Sequence, residues 1–264
     1  MKNKRTSQRV QKGYTLIEVL VAVGIGTGVI LMMSTAMMVG TNGFDEATRR
    51  IDALVEARAA LGIMSDDVST MVGAGEQEFG WEESDERFHE VWFLTLKPIE
   101  SQDSDKAVGD VCYVHYFTAV TPDAPVEDSA FSRKLYRRFL SSGDILEELR
   151  MGVLPPPEPD INQAELIAFN VTKFVAQPMA QPLEAGPLIE WTEESGLPVL
   201  LGIDFQVVDG DTAALLRDED DWNLTTPVAH ELILEADADK ETRKGRNFQP
   251  VSYTHLTLPT TPYV

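Results

Sequence analysis

Lys12-Gly13-Tyr14-Thr15-Leu16-Ile17-Glu18-Val19-Leu20-Val21-Ala22-Val23 decides how this chain is built. A basic leader with Lys2, Lys4, Arg5, Arg9 and Lys12, and no acid, precedes Gly13. Apolar sequence then runs from Tyr14 to Val39, interrupted by Glu18 and a few Gly, Thr and Ser residues. About 20 apolar residues cross a bilayer as a helix, so this run is long enough. The positive cluster ahead of it stays cytoplasmic, which places the C-terminal bulk across the membrane. A secretory signal puts its small residues after a shorter apolar core. Here the small residue, Gly13, stands before the core. Inside the run sits one carboxylate, Glu18, and a charge at membrane depth calls for a partner or a function.

This order of basic leader, glycine, apolar run and embedded acid resembles the N-terminus of type IV prepilins and type II secretion pseudopilins. The resemblance implies that a prepilin peptidase cuts between Gly13 and Tyr14 on the cytoplasmic side. It implies N-methylation of Tyr14, where the family more commonly has Phe. Glu18, by the same resemblance, meets the N-terminal amine of a neighbouring subunit during assembly. Arg58-Ala59-Ala60-Leu61, with Ser65-Asp66-Asp67-Val68 after it, is similar to the end of this helix in the PilW and minor pseudopilin J group. Gly109–Phe117 with Lys134–Phe139 resembles the pilin-like Verru_Chthon cassette protein C.

By this resemblance the chain is expected to be a minor pilin or pseudopilin, a structural subunit of a type IV pilus-like or type II secretion filament. The alternative is a filament-tip adhesin or cargo-binding module anchored in the inner membrane. The implied partners are other pilins or pseudopilins, the prepilin peptidase, an inner-membrane assembly platform and membrane lipid. The implied location is the bacterial inner membrane, single-pass, with the N-terminus cytoplasmic and the C-terminal domain periplasmic, and then the filament.

Beyond the apolar run, Phe44, Ala47, Ile51, Leu54, Arg58, Leu61 and Val68 recur at three- and four-residue steps, the spacing of an amphipathic helix. Asp45, Arg49, Arg50, Asp52 and Glu56 fall on its polar sides, and Gly73-Ala74-Gly75 is expected to stop it. Gly40-Thr41-Asn42-Gly43 is expected to mark the membrane exit, with a kink. Strands are expected over Phe88–Leu96, Val111–Val120, Lys134–Leu140, Leu166–Val175 and Leu197–Val208, and a short helix over Asp144–Arg150. One long helix and then strands, without βαβ alternation, predicts an α+β fold with the helix packed on an antiparallel sheet, as in pilins. The expected organisation is leader 1–13, membrane and filament-core helix 14–39, its amphipathic continuation 40–75, and an acidic β-rich domain 76–250. Residues 251–264 break the acidic composition, hold no charged side chain, and read as a non-native tail.

The chain has 264 residues and a net charge of −21, and its excess acid lies wholly beyond the leader. Such acidity argues against direct binding of nucleic acid, which needs clustered Lys and Arg. The single cysteine, Cys112, lies among apolar residues and reads as a packed core thiol. No disulfide can form within the chain. His89, His115, His230 and His255 show no metal-ligand spacing, and His89 and His115 read as sheet histidines. No catalytic grouping emerges, so no enzyme and no cofactor are expected. Gly24-Ile25-Gly26-Thr27-Gly28 lacks the strand and lysine of a phosphate loop and reads as small residues in a membrane helix. Asp209, Asp211, Asp218 and Asp220 are weak calcium candidates beside a reading as solvated acidic loops. Trp92 reads as core, and Trp81 and Trp222 as loop-anchoring aromatics beside acidic segments.

Overall fold

A computed structural model describes residues 15–73, 79–102, 105, 107–124, 129–151, 157, 159–181, 187–192, 195–229, 232–233 and, by backbone alone, 251–259. The chain forms two compact units, one running to Thr48 and one starting at Arg49. Helix α1 spans Leu16–Ser69. Its stretch Leu16–Asp45 is long and apolar enough to cross a membrane. Apolar side chains there point outward all round the helix, as a lipid-facing or bundled helix requires. Three threonines turn their hydroxyls back onto the helix: Thr27 donates to the Val23 carbonyl at 2.9 Å, Thr35 to Leu31 at 2.8 Å and Thr41 to Met37 at 3.1 Å. That satisfies the hydroxyls without a solvent partner. The helix runs unbroken through Gly24–Gly28 and through Gly40–Gly43, in place of the expected kink. It ends at Ser69, ahead of the expected glycine stop.

In the second unit the end of α1 lies with a mixed sheet. Its strands are β1 (Met71–Val72), β2 (Phe79–Asp85), β3 (Phe88–Leu96), β4 (Val111–Pro122) and β5 (Phe131–Leu140). After helix α2 (Leu146–Met151) come β6 (Ala164–Ala168), β7 (Val171–Ala180), β8 (Ile189–Glu190) and β9 (Leu200–Val207). Short helices α3 (Gly210–Ala213), α4 (Glu219–Trp222) and α5 (Pro227–Ala229) come next, and β10 (Val251–Pro259) closes the described chain. The strand order is β10-β9-β7-β3-β4-β5-β6, with β1 and β2 also on β3 and β8 on β7. Every pairing is antiparallel except β3 with β7, which share the single register pair Phe88–Phe174.

Side chains stitch that sparse seam. Trp81 Nε1 donates to the Ala176 carbonyl at 2.9 Å, the Ala176 N–H donates to His89 Nδ1 at 3.2 Å, and Arg87 Nε donates to the Thr172 carbonyl at 3.1 Å. One expected strand is corrected. Leu166–Val175 is broken at Phe169–Asn170, so β6 pairs with β5 at the sheet edge while β7 joins the centre. Asn170 takes φ 53 in this turn, a left-handed conformation that asparagine tolerates better than most residues. Val251–Pro259, within the segment read as a non-native tail, forms β10 against the outer edge of β9. Its β-branched and aromatic composition suits an open sheet edge whatever its origin.

The helix face that packs keeps Leu61 and Val68 of the expected stripe and is otherwise rotated from it. Ala57, Ala60, Met64 and Val68 enter the core with Val91, Phe93, Val114, Tyr116, Phe174 and Phe205. Ile51 remains 56% exposed, and Arg58 is exposed as well. The helix carries apolar residues on more than one side, and its small residues Ala57 and Ala60 let it approach the sheet closely. One carboxylate belongs to this buried face. Asp67 is 1% exposed. Arg137 grips it at both oxygens, Nε to Oδ2 at 2.7 Å and a terminal nitrogen to Oδ1 at 3.1 Å. Tyr116 donates to Oδ2 at 2.5 Å, and Lys97 lies 3.0 Å from Oδ1. The Asp67 carbonyl accepts from Thr95 Oγ1 at 2.8 Å. Burial works against the Lys97 and Arg137 charges, but the aspartates more than offset it and hold both groups above their ordinary range.

Asp67→Ala is expected to cost about 3–5 kcal/mol in urea unfolding, because it strands a guanidinium and a phenol in the interior. Replacing Asp67, Arg137 and Tyr116 together with apolar residues of similar volume is expected to cost less than the single change.

Candidate functional site

The N-terminus of α1 builds the site around Glu18. Thr15 stands just before the helix, and its N–H and Oγ1 both donate to Glu18 Oε2, at 2.8 and 3.0 Å. In return the Glu18 N–H donates to Thr15 Oγ1 at 3.3 Å. This reciprocal box satisfies N-terminal donors that the helix itself cannot pair. It engages one carboxylate oxygen; Oε1 takes no hydrogen bond among the described residues. Val19, Ala22 and Val23 line the open surface beside Glu18. Thr15 is a site residue that the motif reading passes over, although Thr-x-x-Glu before an apolar run is a legible capping signal. Gly13 and Tyr14, the expected cleavage and methylation positions, lie outside the described residues.

A model of the prokaryotic N-terminal methylation motif matches residues 8–38. The chain begins as a type IV pilin-like precursor does. No curated protein and no solved structure matches the chain. The motif covers the leader, Gly13, Tyr14, the Thr15–Glu18 box and most of the apolar run, and it bears on that segment alone. With the apolar stretch of α1 it supports membrane anchoring, processing by a prepilin peptidase and assembly with other pilin-type subunits. The finer grouping with PilW, minor pseudopilin J or Verru_Chthon cassette protein C has no counterpart in these matches.

Several of the remaining candidates make hydrogen bonds within the fold. Asp209 Oδ1 accepts from the N–H groups of Asp211 and Thr212, both at 3.0 Å, and so caps α3. Asp211, Asp218 and Asp220 are exposed. Among the described residues no group of three or more His, Cys, Asp or Glu side chains is gathered to hold a metal ion. The acid that is buried nearby is Asp221, which accepts from Arg217 N–H at 3.0 Å, Asp218 N–H at 3.3 Å and Thr226 Oγ1 at 2.5 Å. His115 is buried with Nε2 3.0 Å from Glu90 Oε2, while its Nδ1 and the Tyr113 hydroxyl have no partner among the described residues. His89 belongs to the seam, and His230 and His255 lie outside the residues whose side chains are described. Trp222 is fully buried, with Nε1 donating to the Leu216 carbonyl at 3.1 Å; it holds the α3–α5 lobe together. Trp81 packs against the main core, and Trp92 is half-buried beside Leu94 and Tyr113.

A recess of about 190 Å³ lies between Asp52, Ala53 and Glu56 of α1, the Phe169–Asn170 turn, and Val207, Val208 and Gly210. Glu56 accepts from the Phe169 N–H there, and burial raises its carboxyl above the ordinary range despite that bond.

Cys112 is buried. Burial pushes its thiol from 9.0 up to about 11, against the opposing Ser142 backbone contact. A thiol that stays protonated when folded but ionises when unfolded contributes stability below pH 9 that is lost as the pH climbs to 11. Melting temperature should therefore fall across that window, and less steeply in Cys112→Ala. At neutral pH thiol reagents should label Cys112 only on unfolding.

Proposed function

We propose that this chain is a minor pilin or pseudopilin, a structural subunit that is cut after Gly13, methylated at Tyr14, and built into or placed at the cap of a filament. The observation that carries the reading is Glu18 in its setting. It is the sole carboxylate between Gly13 and Phe44, and no Lys, Arg or His accompanies it there. An anion in a low-dielectric bundle needs a cationic or hydrogen-bonding partner. Thr15 supplies neutral donors to one oxygen, and the uncommitted Oε1 suits the amine of a second subunit, which the cut after Gly13 would create at Tyr14. The apolar stretch of α1 would bundle with its counterparts in the filament core. The acidic domain would face outward in the periplasm, beyond the inner membrane.

Glu18→Ala is expected to leave membrane insertion intact and to impair filament incorporation, read by fractionating membranes against sheared filaments. Normal incorporation of the variant would exclude the pairing. The mass of the mature N-terminus reads processing independently: it should begin at a Tyr14 carrying one added methyl group, and an intact leader would overturn the precursor reading.

A further inference from the structure

Two segments carry the Asn-x-Thr pattern of an N-glycan acceptor, Asn170-Val171-Thr172 and Asn223-Leu224-Thr225. The fold treats them oppositely. Thr172 is 1% exposed, and the Asn170 carbonyl accepts from the Val208 N–H at 3.0 Å, which ties that turn to the segment after β9. Asn223 and Thr225 are both exposed, in the turn just past α4.

Arg133 donates to Asn223 Oδ1 at 2.7 Å. Its guanidinium is itself held, 3.8 Å from the Phe88 ring centre and within 3.3 Å of the Trp222 carbonyl. The amide oxygen of Asn223 is thereby fixed against the protein. Its Nδ2, the atom that takes a sugar, makes no hydrogen bond among the described residues. Leu224 sits at φ 60, a left-handed conformation that leucine rarely adopts. The chain therefore turns sharply between Asn223 and Thr225, a conformation that the surrounding contacts hold in place. The exposed Thr225 hydroxyl donates to the Asp220 carbonyl at 2.8 Å, a contact water can replace.

We propose that Asn223 is an acceptor for an N-linked glycan, whereas Asn170 is closed to modification once the chain has folded. The proposal rests on the topology in Proposed function, which places this domain outside the cytoplasm. The donor is an oligosaccharide carried on a polyprenyl pyrophosphate. Asn223 Nδ2 attacks C1 of its first sugar, and the C1–O bond to the pyrophosphate breaks as the C1–N bond forms. The amide loses one proton, and polyprenyl pyrophosphate leaves. The product would set a bulky, hydrophilic group on the acidic α3–α5 lobe.

The full-length chain in detergent, incubated with a bacterial oligosaccharyltransferase and its polyprenyl-pyrophosphate-linked oligosaccharide, tests this by peptide mass spectrometry. A short acceptor peptide in the same tube reports that the enzyme is active. One glycan mass is expected on the peptide holding Asn223, lost in Asn223→Gln and in Thr225→Ala and retained in Asn170→Gln. No gain at Asn223 while the acceptor peptide is modified, or equal modification of Asn170 in the folded chain, would overturn the proposal. The enzyme is supplied in solution, so this outcome does not depend on topology. The mature N-terminal mass of the membrane-extracted protein tests the precursor reading separately.

Discussion

The buried carboxylate of Asp67 is the interaction on which the second unit depends. It sits in the last turn of α1, where the helix dipole disfavours negative charge, and no basic residue in that turn relieves it. Relief comes from the sheet: Arg137 from β5, Tyr116 from β4 and Lys97 just past β3 converge on it. Each of those groups would be costly to bury alone. The helix end and three sheet segments are therefore mutually conditional. Asp67 fixes where the helix stops and how it is rotated, which brings Ala57, Ala60 and Met64 onto Val114 and Phe174 and leaves Ile51 outside.

The same matching of polar groups organises the rest of the unit. Where β3 and β7 share only one register pair, Trp81, His89 and Arg87 replace the missing ladder with side-chain contacts to β7 backbone. Beyond β9 the chain forms helices too short to be stable by themselves. Asp209 and Asp221 hold their backbone N–H groups, and Trp222, Leu216, Ala229 and Ile233 give them a small core of their own. Part of the acidity near these turns is thus architectural: the carboxylates of Asp209 and Asp221 are acceptors for backbone donors.

The elements with a strong local signature were legible in the sequence. Phe88–Leu96 is a strand from end to end as read, and the long helix ahead of a run of strands indicated the fold class. What was not legible depended on partners distant along the chain. Asp67 looked like any helix-end acid, because the guanidinium that buries it lies 70 residues away. The Phe169–Asn170 break was hidden in a continuous apolar run, since the fold there turns on one left-handed residue and on the choice of strand partner. The amphipathic stripe is legible only in part: Leu61 and Val68 pack as expected, but α1 is apolar on several sides, so periodicity alone does not select Ala57, Ala60 and Met64 over Ile51. At the N-terminus the opposite held: Glu18 was conspicuous, while its capping partner Thr15 was easily missed beside it.

Glu18 and Asp67 are carboxylates on one helix, and they differ in how completely their own chain satisfies them. Asp67 is saturated within its own chain, with both oxygens bonded and two cations adjacent, so it has nothing left to offer a partner. Glu18 meets only the neutral donors of Thr15, at one oxygen, in a segment whose apolar side chains all face outward. A carboxylate left in that state is tolerable in water and poorly satisfied in an apolar bundle. The deficit is largest where the segment is buried among other helices, so any cation brought there by a second subunit gains most at that moment. Position along α1 thus separates two states of a carboxylate, half-paired near the start of the helix and closed by its own chain near the end.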